Sequence, residues 1–163
     1  CTMARSSFFL AFATLFALTA AAPVDADARG RGRHRRVVHP IAVDRVRVAD
    51  ACSDALIGSD ATNACVRTAF RFLADPVPAI EACDRALIGN DGKLRCIEAA
   101  SRARFDAAAT IRECDRAMIG NEGKIDCVEA AAVFRDDPTE YVAWCGREAI
   151  GNAGKIECLR TGN

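Results

Sequence analysis

The chain has 163 residues, 51% of them apolar and only 6% aromatic, with 22 basic and 22 acidic side chains. That length suits one ordinary domain with a packed core, and abundant alanine with few aromatics favours closely packed helices over a bulky β core. The balanced charge is unevenly placed. Arg29, Arg31, Arg33, Arg35 and Arg36 form a short basic run, whereas residues 44–163 hold 16 Lys+Arg against 20 Asp+Glu, so a basic arm precedes a mildly acidic body.

The amino end reads as a secretory signal. Met3 and Arg5 precede an apolar run, FFLAFATLFALTAAA at residues 8–22, followed by small-residue cleavage sites near Ala21 or after Ala28. A membrane anchor is the competing reading. The run is short for a span of about 20 residues and ends in cleavable, alanine-rich sequence, which favours a signal peptide over 1–28, with residues 1–2 an upstream remnant. No cysteine follows closely, which argues against lipoprotein acylation. Residues 29–43 read as a basic, flexible arm. Without Cys1, eight cysteines remain. An even number in an exported chain implies a disulfide framework and a secreted or periplasmic location.

From residue 44 the sequence repeats with a period of 31: 44–74, 75–105, 106–136 and 137–163. The core strings are CSDALIGSDATNAC, CDRALIGNDGKLRC, CDRAMIGNEGKIDC and CGREAIGNAGKIEC. A fixed period of this size marks a repeat array. Asp44, Asp75, Asp106 and Asp137 stand eight residues before each first cysteine, two of them followed by Pro76 and Pro138, and Asp137 has Glu140 three residues on. These are helix-start signals. Gly58, Gly89, Gly120 and Gly151 follow each first cysteine by six residues and read as helix stops. Ile80, Cys83, Leu87 and Ile88, and likewise Ile111, Cys114, Met118 and Ile119, keep helical spacing between start and stop. Ser59, Asn90, Asn121 and Asn152 then read as N-caps of second helices carrying Leu94, Ile97 and Ala100, or Ile125, Val128 and Ala131. Each unit is therefore an αα-hairpin with a two-residue Gly-Asn turn.

The two cysteines of a unit lie nearly equidistant from that turn, both about 9 Å from the tip at 1.5 Å per residue. Disulfides Cys52–Cys65, Cys83–Cys96, Cys114–Cys127 and Cys145–Cys158 are expected. Linking successive units instead (Cys65–Cys83, Cys96–Cys114, Cys127–Cys145) strands Cys52 and Cys158 at opposite ends. Each closed loop contributes about 3 kcal/mol through the unfolded state. The expected fold is all-α, a right-handed-type solenoid of four stapled hairpins.

Paired cysteines in every unit, with the Ala/Gly pattern over residues 44–163, resemble the secreted cysteine-rich helical-hairpin repeat proteins of the tetratricopeptide-like superfamily. The resemblance implies a curved stack with a disulfide bridging the two helices of each repeat. The 31-residue period and twelve-residue gap between cysteines depart from that family's spacing.

Chemical motifs are few. GNDGK and GNEGK lack the spacing and the following Ser/Thr of a phosphate loop. Leu87 and Met118 stand where an EF-hand needs its first carboxylate. The cysteine spacing is not that of a zinc site, and His34 and His39 both lie in the arm, so no metal or cofactor is expected. Ser-His or Cys-His catalysis lacks a histidine in the body. The expectation is a non-enzymatic scaffold for a protein or peptide partner. Its candidate surface residues are Arg85, Arg116 and Arg147, a ladder of Lys93, Lys124 and Lys155 along the tips, and Tyr141 with Trp144 in the last unit. The bland alternatives are local pairs such as Glu81–Arg85 and Asp91–Arg95, and end-cap packing for the two aromatics. Other function classes are an envelope-associated structural protein whose arginines at 29–36 touch an anionic surface, and a small secreted enzyme or enzyme inhibitor. No transmembrane span is expected in the mature chain.

Overall fold

The computed structural model describes residues 44–162. The expected signal segment and basic arm lie outside the described residues. Eight helices follow in order: α1 (Arg45–Ala55), α2 (Ser59–Ala69), α3 (Val77–Ala86), α4 (Asn90–Ala100), α5 (Ala107–Ala117), α6 (Gly120–Ala131), α7 (Thr139–Glu148) and α8 (Gly151–Thr161). There is no strand among the described residues. Each odd helix pairs with the even helix after it, and successive hairpins stack. The odd helices pack side by side in one layer and the even helices in a second.

The aspartates start the odd helices. Asp44 accepts hydrogen bonds from Val46 N and Arg47 N, and Asp106 from Ala109 N. Asp75 and Asp137 accept from Val77 N and Thr139 N across Pro76 and Pro138, whose backbones already turn toward the helix. Each carboxylate thus satisfies an amide that has no partner within its helix.

The core runs between the layers. Ile80, Ile97, Ile111, Ile125, Val142 and Leu159 are fully buried there, with the disulfides among them. All four bridges form within units, at Cα–Cα separations of 5.7–5.8 Å. Small residues let the odd helices approach: Ala79, Ala82 and Ala86 of α3 are buried, and Thr110 of α5 meets Thr139 of α7, Oγ1 to Oγ1 at 3.2 Å. One hairpin has too little interior of its own, and stacking supplies it.

The turn differs from the sequence expectation. The odd helices stop before the glycine, and a connector of Leu-Ile-Gly, Met-Ile-Gly or Ala-Ile-Gly follows. Leu56, Leu87, Met118 and Ala149 are extended, with φ between −100° and −130°. Ile88 and Ile119, read from sequence as the end of the helical apolar stripe, lie in this connector. The glycines have φ of 93°, 80°, 73° and 70°, a region that strains any side chain. They begin the second helix more than they end the first. No described helix is long and apolar enough to cross a membrane.

Candidate functional site

The extended connector dictates what the hairpin tips display. Successive side chains of extended backbone point to opposite sides. Leu56, Leu87 and Met118 turn into the core and are buried. The next residue must then point out. Ile57, Ile88, Ile119 and Ile150 are 87%, 85%, 83% and 96% exposed. Single exposed aliphatics are ordinary, but here the same β-branched side chain stands at the same place in every unit, along one edge of the stack. Nothing in the fold requires it, because a polar residue would suit an outward position in extended backbone equally well. Sequence reading missed this row because helical spacing assigned the isoleucines to the interior.

The GNxGK motif builds the joint between hairpins. Asn90 does not cap its own helix. Its side-chain amide reaches back one unit, where Oδ1 accepts from Ile57 N at 3.0 Å and Nδ2 donates to Ile57 O at 2.6 Å. Asn121 repeats this on Ile88, and Asn152 on Ile119. Each asparagine thus pairs with the N–H and C=O of one residue as a neighbouring strand would. Gly92 and Gly123 lie against it in the second and third units, where the first unit has Ala61. A methyl on Gly92 would lie 3.3 Å from the Asn121 amide nitrogen, and one on Gly123 would fall onto the Asn152 amide.

The lysines complete the joint, so they are not the free ladder expected from sequence. Lys93 Nζ donates to Ala55 O at 2.8 Å, Lys124 to Ala86 O at 2.9 Å and Lys155 to Ala117 O at 2.6 Å. Each ammonium thus sits at the carboxyl end of the preceding unit's first helix, where the helix dipole favours a cation. Asp84 and Asp115 hold Lys93 and Lys124 in place, both at 2.6 Å. The first unit has Ser59 and Thr62 at the two positions, and Thr62 bonds Gly58 O within its own unit.

The remaining tip charges fall on two flanks. Arg85, Arg116 and Arg147 are exposed on the first-helix side, with Asp54 at the corresponding place in the first unit. Arg85 pairs with Glu81 at 3.6 Å, as the sequence suggested, and Arg116 with Glu113 at 2.7 Å. Both arginines are largely solvated, so these pairs contribute little. On the second-helix side Asp60, Asp91 and Glu122 are exposed in the first turns of their helices, and Ala153 follows in the last unit. The expected Asp91–Arg95 pair does not form. Arg95 bonds Glu122 of the next unit at 3.0 Å and lies 4.0 Å from Glu129. The Glu122 hydrogen bond, with that carboxylate's charge, raises the Arg95 pKa.

Tyr141 and Trp144 stack on one another at 5.5 Å, and Tyr141 Oη donates to Cys158 O. They stand where the inner units carry Ala79 and Ala82, or Thr110 and Glu113, on the side that faces a following hairpin. Tyr141 is partly buried, whereas Trp144 is 46% exposed. Both aromatics lie within one unit, before the Ala149-Ile150 connector.

At the opposite edge, a cleft of about 450 Å³ lies between the links that join hairpins, lined by Leu73, Asp75, Arg104, Phe105 and Asp106 among others. Both carboxylates there accept hydrogen bonds from helix-start amides. Comparison of the chain with protein-family models, with curated proteins and with solved structures returns no match.

Proposed function

We propose that this protein is a non-catalytic scaffold, secreted or periplasmic, that binds a protein partner along the isoleucine-bearing edge of its hairpin stack. The observation that carries the reading is the row Ile57, Ile88, Ile119 and Ile150, outward and solvated in every unit. Regular spacing on a stapled frame costs a partner little ordering on the scaffold's side. Four disulfides are compatible with an oxidising compartment, and the balanced pairs around the tips favour a polar rim around an apolar centre.

The test is retention on beads. The oxidised protein and a variant with all four isoleucines changed to serine are exposed to the native extracellular or periplasmic fraction. The expected result is a defined protein set held by the parent and lost by the variant, with the helical circular dichroism unchanged. Identical sets from both would refute the reading.

A further inference from the structure

We infer that the partner on this edge is a second copy of the chain, joined tip to tip about a two-fold axis parallel to the isoleucine row. The inference rests on reading the tips as a binding edge. It adds the identity of the occupant and its orientation.

The first argument is spacing. An occupant must offer apolar groups at the pitch of stacked hairpins, about 8–10 Å for packed helices. A flat strand offers one face residue every 6.6–6.8 Å or so and falls out of step along four contacts. A second copy matches by construction, whatever the pitch is in detail. Its Ile57, Ile88, Ile119 and Ile150 meet the same four residues across the axis. Such an interface is isologous and closed, so it stops at a dimer.

The second argument is charge, and it selects the axis. One flank of the row carries Arg85, Arg116 and Arg147, with Asp54 and Glu148 on the same side, and the other carries Asp60, Asp91 and Glu122. A two-fold axis along the row places each flank of one copy over the opposite flank of the other. Arg85 then faces the partner's Asp91, Arg116 faces the partner's Glu122, and both pairs recur by symmetry. An axis across the row would instead lay Arg85 over the partner's Arg116 and Asp91 over the partner's Glu122, which like-charge repulsion disfavours, against one attractive pair, Asp54 over the partner's Arg147. Arg85 now makes only an exposed 3.6 Å pair with Glu81, which exchanges readily, whereas Arg116 and Glu122 keep their bonds to Glu113 and Arg95 and must share them across the axis. Two positions do not match. Asp54 faces the partner's Asp60, and Arg147 faces the partner's Ala153.

Sedimentation velocity or light scattering on the full oxidised chain reads the result. The expected mass is twice that of the monomer. Ile88→Ser with Ile119→Ser weakens the dimer at least tenfold while leaving the thermal transition of the monomer in place. Asp54→Arg tightens the dimer several-fold by removing the mismatch. Arg85→Glu weakens it, and Arg85→Glu with Asp91→Arg restores it, because the swapped pair meets again across the axis. A dimer tightened by Arg85→Glu alone would overturn the axis. A monomeric parent protein would overturn the second copy as occupant. If that monomer still loses its retained proteins when the isoleucines become serine, the binding edge stands and only this inference falls. If a dimer persists through the serine changes and retention is also unaltered, both fall.

Discussion

The first hairpin and the inner hairpins share their interior but not their joints. All have the stapling disulfide, the extended connector, the outward isoleucine and the positive-φ glycine. Only the later three have the asparagine and lysine that reach back to the preceding unit. Making a hairpin and joining hairpins are therefore written in different residues. The first unit has nothing behind it among the described residues, and there Ser59 and Thr62 stand in place of the pair. The two tasks are separable by mutation.

The largest effect should come from breaking what the units share. Replacing Cys83 and Cys96 by alanine removes one staple from an inner unit and should lower stability by about 2–5 kcal/mol in oxidising urea titrations. Removing Cys52 and Cys65 should leave the other three units closer to their parental midpoint, because only one neighbour depends on the first unit. Next comes the glycine beside the joint. Gly123→Ala pushes a methyl into the Asn152 amide and should cost about 1 kcal/mol, since the first joint forms with Ala61 at this place. Gly154→Ala meets nothing closer than 3.8 Å and should stabilise by about 0.5–1 kcal/mol through helix propensity alone, so thermal melts of the two variants should move in opposite directions.

The joint itself is no larger. Asn121→Ala removes two hydrogen bonds to backbone groups that water can partly re-solvate, for a loss of about 1 kcal/mol. Ser59→Asn should change the urea midpoint by no more than about 0.5 kcal/mol equivalent. Lys124→Met should cost about 0.5–1 kcal/mol, with amide exchange quickening at the end of α3. A Ser59→Asn variant as stabilised as Asn121→Ala is destabilised would abolish the distinction between the first unit and the rest.

The hairpins and their pairing were legible because their determinants are local. Asp to first cysteine, cysteine to glycine and cysteine to cysteine are intervals of eight, six and thirteen residues, within reach of helix geometry. The joint was not legible, because its partners lie 33 and 38 residues apart and no local rule relates them. An asparagine after a glycine is a good cap by local logic, and that logic places it on its own helix. The signal that betrays it is the exception: Ser59 and Thr62 replace asparagine and lysine while every cysteine and tip glycine is kept. The isoleucine row was missed for a related reason. Helical phase was carried past Ala86 and Ala117 into the connector, where the backbone changes period and sends alternate residues outward. Lys93, Lys124 and Lys155 read as surface groups in sequence, because the helix carbonyls that hold them lie 38 residues earlier. Arg85, Arg116 and Arg147 did prove exposed.

Every joint also points one way. The side chains that grip belong to the later unit, and the peptide groups they grip belong to the earlier one. A chain delivered amino end first therefore waits only for its second hairpin: each later one closes its own short loop and finds a finished template behind it. Chains halted at successive lengths should gain the first two protease-resistant hairpins together and the later ones one at a time, in order from the amino end.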